Sequence, residues 1–292
     1  MFKQLGLIGC GLMGGSFALA LKRAGLVQTV VGHSQSPASA QKALKLGVVD
    51  RVVGTAAEAA QGADLVLVAV PVAAIEATLQ AIGPYLSPES LVMDVGSTKQ
   101  DVVLGARRAL GAQLDRFVPA HPIAGKEHAG VEHATADLYD GCQVVLTPTE
   151  DTSSISTERA HALWQALGCR VRRMTPEAHD EAYAAVSHLP HLLAFAMMKA
   201  IQDQSRGEAF LTLAGPGFRD FTRIAASEPS VWRDILISNR QAVLEQLDHY
   251  QQALNAFEAA LIAEDAPALR ELIASASAAR ADWRLGQGPS TD

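Results

Sequence analysis

The sequence predicts an α/β protein, with a doubly wound parallel sheet over residues 1–174 followed by an all-helical domain over residues 175–292. Three observations lead there. Short continuous apolar runs alternate with Ala-rich helical stretches through the first half. The first of these runs ends in a glycine-spaced turn almost at the first residue. Beyond Met174-Thr-Pro176 no strand-like run follows, only helical pattern. Buried parallel strands read as unbroken apolar runs, and their crossover helices give the sheet a right-handed winding.

Leu5–Gly9 is the first strand. It feeds Gly9-Cys-Gly11-Leu12-Met13-Gly14, and the helical run Ser16–Arg23 follows. Gly9 permits the tight turn, Gly11 removes a side chain where phosphate approaches backbone, and Gly14 lets helix pack on strand. First-turn N–H groups, including those of Leu12 and Met13, then bind the anion. This is the pattern of a Rossmann-type dinucleotide unit. Thr29–Gly32 is the second strand, and His33-Ser34-Gln35-Ser36 follows it, where NAD-binding units carry Asp or Glu for the ribose 2′-hydroxyl. No carboxylate stands there to repel a 2′-phosphate, and His33, Ser34 and Ser36 offer donors. The nearest cations are Lys42 and Arg23, with no arginine placed locally. NADP is therefore expected over NAD. Leu65–Val70, Leu91–Val95 and Phe117–Ala120 are further strands. Gln143–Thr147 and Cys169–Met174 are expected to extend the same sheet around a helix at Glu158–Leu167.

Composition narrows the class. Apolar residues make up 49%, but no uninterrupted apolar run reaches membrane-spanning length. The chain enters its first strand at once, so no secretory or transit segment is expected. A net charge of −7 argues against a nucleic-acid surface. Cys10, Cys142 and Cys169 are odd in number and lack a CxxC pair, as free thiols are. A soluble cytoplasmic protein is the expectation.

Ligands of open α/β sheets gather at the carboxyl ends of strands. Val68-Ala-Val70-Pro71, Asp94-Val-Gly-Ser97-Thr-Lys99 and Ala120-His121-Pro-Ile-Ala-Gly-Lys-Glu127 end three of them, with Val70 and Pro71 expected beside the cofactor. His121 precedes Pro122, which biases it to extended backbone, and it is the candidate general base. Ser97 has two readings: a hydrogen bond to that imidazole or to substrate, or the cap of a helix beginning near Lys99. Ser187-His188-Leu-Pro-His191 spaces two histidines by three, but no third ligand or HExxH pattern accompanies them, so no metal is expected. Gly215-Pro-Gly-Phe-Arg219-Asp220 presents an arginine suited to a carboxylate, or one paired with Asp220 or Asp234. In the tail, Glu177–Gln202 reads as a helix that Pro190 kinks or interrupts. Val231–Ala263 carries Val243, Leu247, Tyr250, Leu254, Phe257 and Leu261 at alternating spacings of four and three. That seam suits either an intradomain contact or, the favoured reading, a subunit interface. Pro267, just after Asp265, opens a last helix.

Taken together, the glycine turn, Asp94–Lys99, His121–Glu127, Ser187–His191 and Gly217–Asp220 resemble the prephenate/arogenate dehydrogenase family of tyrosine biosynthesis, in the family's order from residue 5 to about 235. The resemblance implies a Rossmann domain and a helical domain that intertwines in a homodimer. It implies oxidative decarboxylation of prephenate or arogenate with hydride transfer to NAD(P). His121 would accept the ring-hydroxyl proton, Ser97 would orient His121 or the hydroxyl, and Arg219 would hold a carboxylate. His188 or His191 would sit at the other end of the substrate, and Glu127 would meet arogenate's ammonium. The chain departs from the family at His33-Ser34, which puts NAD use in doubt, and at Lys126. A β-hydroxyacid dehydrogenase and a non-catalytic nucleotide-sensing dimer are the competing readings.

Overall fold

The computed structural model describes residues 1–125 and 129–284. Residues Met1–Arg240 form one compact unit and the second begins at Gln241.

In the first unit, β1 (Phe2–Ile8), α1 (Leu12–Arg23), β2 (Val27–His33), α2 (Pro37–Lys45), β3 (Arg51–Val52), α3 (Ala56–Ala60), β4 (Leu65–Val68), α4 (Ile75–Ile82), β5 (Leu91–Asp94), α5 (Gln100–Leu110) and β6 (Phe117–Val118) alternate as expected. The sheet order is β3-β2-β1-β4-β5-β6, with every pairing parallel. That is the doubly wound order, and its switch point lies between β1 and β4. β4 and β5 are buried along their whole length. Alternate side chains separate into two cores: Leu5, Leu7, Leu65, Leu67, Leu91 and Met93 face one layer with Phe17 and Trp164. Ile8, Val66, Val68 and Val92 face the other, with Ile75, Leu79 and Phe117. A strand covered on both faces needs no polar alternation, which is why these runs read as continuous.

The later strands do not extend this sheet. β7 (Ala120–Ile123), β8 (Gln143–Leu146) and β9 (Arg170–Arg173) form a separate three-stranded sheet, with α6 (Ser154–Ala166) between β8 and β9. β7 runs antiparallel to β8, His121 opposite Val145. Pro119 separates β6 from β7, and its carbonyl accepts from Thr147 N at 2.9 Å, so the chain passes from one sheet to the other there. Pro122 lacks an N–H and is tolerated because β7 is an edge strand. His121 thus lies within a strand, not on a loop after one.

The helices that follow are α7 (Pro176–Tyr183), a π turn at Ala184–His188, α8 (Leu189–Gln202), α9 (Gly207–Leu211), α10 (Pro216–Thr222) and α11 (Pro229–Ser238). They belong to the first unit, which extends to Arg240. The stretch Pro176–Gln202 stays helical through Pro190, which sits in the first turn of α8; the irregularity expected at the proline is the π turn before it. By length and mean hydropathy (1.3) this stretch matches a membrane-crossing helix. Its His179, Asp180 and His188 are nevertheless bonded to other elements of the unit.

The helix expected at Val231–Ala263 is two helices, broken at Asn239. α12 (Arg240–Ile262) and α13 (Ala266–Asp282) follow that break, and Asp265 caps α13 by accepting from Ala268 N at 3.0 Å. Leu244, Leu254, Leu261 and Ile262 of α12 are exposed.

Candidate active site

The glycine turn lies at the switch point. Gly9 has φ +101°, and a Cβ there would meet the Ala69 carbonyl oxygen at 2.1 Å. A Cβ on Gly14 would meet the Gly9 carbonyl oxygen at 2.2 Å. Both glycines are thus demanded by the fold itself. Gly11 differs, since a Cβ added there meets nothing within 4 Å. Its space is open to an incoming group. Gly11 is also the N-cap of α1 and no side chain caps the helix, so the first-turn N–H groups, Leu12 and Met13 among them, have no side-chain acceptor at the helix start. Tyr139 Oη donates to Met13 O at 2.8 Å and braces the turn. These residues fit a dinucleotide pyrophosphate.

His33 ends β2 beside this turn, its Nδ1 3.4 Å from Val53 O, with Ser34 next to it. Ser36 is spent as the N-cap of α2, accepting from Ser39 N at 3.3 Å. The two cations closest in sequence are paired at the surface, Lys42 with Glu132 at 2.9 Å and Arg23 with Asp140 at 2.5 Å. Val70 and Pro71 follow β4 on the same sheet edge.

Next along that edge is a buried polar cluster. The Asp94 carboxylate at the end of β5 accepts from Gly96 N (2.8 Å), Ala120 N (3.0 Å) and Lys99 Nζ (2.5 Å). Lys99 Nζ also donates to Ala120 O at 2.9 Å. Neither charged side chain is exposed. Burial pulls the Lys99 ammonium below its ordinary value, and Asp94 opposes that. The pair therefore clamps the residue immediately before His121.

His121 Nδ1 lies 2.8 Å from His179 Nε2, and His179 Nδ1 lies 2.7 Å from Asp180 Oδ1. Asp180 also accepts from Lys99 N (2.8 Å) and Gln100 N (2.9 Å). It thereby caps the N-terminus of α5, the role that Ser97 had as its alternative. His179 and Asp180 are at most 1% exposed. His121 keeps a partly accessible edge, but its ring packs against those of His179 (5.0 Å) and Tyr183 (4.8 Å). Burial holds His121 well below the ordinary imidazole value, and His179, Lys99 and His188 push the same way. Burial also lowers His179, against the pull of Asp180. His121 is therefore neutral near pH 7, as a base must be.

The π turn delivers the second histidine. His188 is 1% exposed, and its Nδ1 lies 3.0 Å from Asn239 Nδ2. Its Nε2 is buried without a partner in hydrogen-bonding geometry. Burial pushes His188 down to about 4, while Asp180 and the Ser97 backbone pull upward. That places Ser97 against His188. His191 Nδ1 donates to Ser187 O at 2.9 Å, and its ring stacks on Trp232 at 3.5 Å. Arg223 lies near enough to His191 to depress its basicity further, after burial. The Arg219 side chain is 76% exposed and paired with Asp220 at 3.1 Å. Glu127 and Lys126 lie outside the described residues.

The structure thus gathers His121, His188 and, through its backbone, Ser97, with Lys99 of the same strand-end motif, and adds His179, Asp180 and Asn239, which no sequence motif singles out. His179-Asp180 follows Thr175-Pro176, a helix-start signal, and reads as surface charge one turn into a helix. The available signal was polar residues recurring within an otherwise apolar stretch.

Residues 17–173 match the model for the prephenate dehydrogenase nucleotide-binding domain, and residues 175–275 the prephenate dehydrogenase dimerization domain. The chain is 34% identical to a cyclohexadienyl dehydrogenase of Zymomonas mobilis over 96% of both sequences. A crystal structure of prephenate dehydrogenase from Aquifex aeolicus, in complex with hydroxyphenyl propionate and NAD+, superposes with a TM-score of 0.88 at 35% identity, covering 96% of this chain and 97% of that one. Synechocystis arogenate dehydrogenase superposes with a TM-score of 0.80 at 29% identity, covering 95% and 98%. With the doubly wound sheet, the glycine cradle and the buried histidine at its edge, these matches show that the chain belongs to the prephenate dehydrogenase family.

Proposed function

We propose that this protein oxidatively decarboxylates prephenate, arogenate or both, as a homodimer that uses a nicotinamide cofactor, with NADP favoured over NAD. The observation that carries the reading is His121: a neutral, buried imidazole with one partly accessible edge, on a strand beside an open glycine cradle. The cofactor supplies a hydride acceptor. His121 removes the proton of the ring hydroxyl as the carbon bearing it is oxidised, and loss of the ring carboxylate as carbon dioxide aromatises the product.

Around that base, the backbone at Gly11, Leu12 and Met13 holds the pyrophosphate, while Gly9 and Gly14 shape the turn. Absence of a carboxylate at His33-Ser34 supports NADP, and the surface pairing of Lys42 and Arg23 weighs against it. Ser97 positions the ring hydroxyl or His188. His188 and His191 contact the substrate, and an arginine from α10 or just beyond it, Arg219 or Arg223, neutralises a carboxylate. Glu127 pairs with the ammonium of arogenate. The match of residues 175–275 to a dimerization domain supports the homodimer. A β-hydroxyacid dehydrogenase that relies on a helical-domain lysine is disfavoured: Lys199, the one lysine beyond Lys126, is 67% exposed and paired with Asp203.

The test mixes purified protein with prephenate or arogenate and with NAD or NADP, following reduced-nicotinamide absorbance and the aromatic product by mass spectrometry. Reduction with neither substrate would remove the assignment. A higher kcat/KM with NAD than with NADP would overturn the cofactor preference alone.

A further inference from the structure

We infer that His179 and Asp180 are positioning residues that act with His121 as one proton-holding unit, fixing the lone pair of His121 on Nε2 and sharing the proton it takes up. The inference rests on His121 as the base of the proposed reaction. It concerns residues that touch neither substrate nor cofactor.

The argument begins at Asp180. Its carboxylate receives Lys99 N and Gln100 N from the start of α5, and its own backbone carbonyl accepts from Asn239 Nδ2 at 2.7 Å. It is held on three sides. An ionised carboxylate only accepts, so the 2.7 Å contact to His179 requires the proton on His179 Nδ1. Neutral His179 then carries its lone pair on Nε2. The 2.8 Å contact to His121 must hold one proton, and only His121 Nδ1 can supply it. His121 is left with a lone pair on Nε2. One carboxylate thus sets two tautomers in series, in a nearly dry site where hydrogen bonds are strong.

The proton account closes. The substrate O–H bond breaks and the proton goes to His121 Nε2, while the oxygen keeps the electron pair and forms a carbonyl as the carbon gives up hydride to the nicotinamide. The bond to the ring carboxylate then breaks, its electron pair completes the aromatic ring, and carbon dioxide leaves. The phenolate oxygen recovers the proton from His121 Nε2. Between these steps the proton is on loan, and the His121 Nδ1 proton can shift to His179 Nε2, which brings the positive charge beside Asp180. Lys99 opposes a charge on either ring, and His188 opposes one on His121. Asp180 and Asp94 offset this at His179, and Tyr183 contributes an uncharged face.

The variants are His179→Gln, near in volume but unable to pass a proton, and Asp180→Asn. In the holoenzyme with prephenate, His179→Gln should lower kcat roughly tenfold to a hundredfold with KM changed less than about threefold. Losing the imidazole that shares the proton should also weaken His121 as a base and move the acid limb of the kcat profile to lower pH. Loss of a merely structural contact would scale the profile down without moving that limb, and such a result overturns the inference. Nitrogen-15 NMR of the histidines gives a readout free of turnover: wild-type protein should show His121 protonated on Nδ1, and Asp180→Asn should mix its tautomers. Wild-type His121 protonated on Nε2 would overturn the inference even if both variants fold poorly. An inactive wild-type protein with the Nδ1 tautomer would defeat the dehydrogenase reading instead.

Discussion

Asn239 Nδ2 donates to the Asp180 carbonyl at 2.7 Å and approaches His188 Nδ1 at 3.0 Å, so the amide nitrogen is a donor and His188 Nδ1 is its acceptor. The proton of neutral His188 therefore sits on Nε2, buried near the Ser97 backbone but without a partner in hydrogen-bonding geometry among the described residues. An arriving oxygen can accept it. Protonating Nδ1 as well would break the contact with Asn239, which agrees with the low basicity of this ring.

That low basicity makes stability depend on pH. His188 is depressed from 6.5 to about 4, so above pH 6.5 it is neutral whether the chain is folded or not. As pH falls below 6.5, the unfolded chain binds a proton that the folded chain refuses. Stability is lost progressively down to about pH 4, by up to about 3 kcal/mol for this ring, and His121 and His179 act in the same direction. The melting temperature should fall across that window, and His188→Asn should flatten the fall. An equal slope in that variant would show that His188 carries none of it.

His121→Asn should lower kcat about 10²- to 10⁴-fold while leaving the dissociation constant for cofactor within about twofold. Steady-state kinetics and cofactor titration by fluorescence check the two halves. Wild-type turnover would remove His121 from the mechanism.

Gly11 and Gly14 should separate cofactor binding from folding. Gly11→Ala meets open space and should fold normally, yet weaken cofactor binding about tenfold or more because its methyl occupies the phosphate approach. Gly14→Ala meets the Gly9 carbonyl oxygen at 2.2 Å and should lower the melting temperature before any ligand is added. Thermal melts with and without cofactor distinguish the two.

The two arginines make opposite cases. If the electrostatic proximity of Arg223 to His191 reflects a substrate subsite, Arg223→Ala should raise substrate KM tenfold or more, with Arg219→Ala nearer to wild type. The reverse order in initial-rate kinetics would restore Arg219 as the main carboxylate contact.

Leu254 is 52% exposed on α12, in the seam that also holds the exposed Tyr250 and Leu261. Leu254→Lys should weaken the dimer, read as a lower light-scattering mass on dilution. An unchanged mass would assign the seam to a contact within one chain.

The sheet was readable because its strands are buried on both faces and its glycines have separate steric reasons to be there. His121 was readable because it stands at a strand edge before a proline. The second sheet was not, since nothing local tells a parallel addition from an antiparallel pairing, and the handover at Pro119 depends on Thr147, far away in sequence. His179 and Asp180 were not readable either. Their partners lie 58 and 81 residues away, and only the folded chain brings that helix against Lys99 and His121. Asn239 was lost inside an assumed continuous helix, because its buried amide looks like any polar residue on a wet face.

The π turn at Ala184–His188 sets an angular phase. Each residue of an α-helix advances the azimuth by about 100°, so removing one residue from this turn would tighten it into ordinary helix and swing everything on one side by roughly that angle. The rod from Pro176 to Gln202 would survive such a deletion, with nearly its full complement of backbone bonds. His188 and His191 would no longer point where His179 points. A lineage that shed a single residue here would keep its architecture and rearrange its buried histidines in one step.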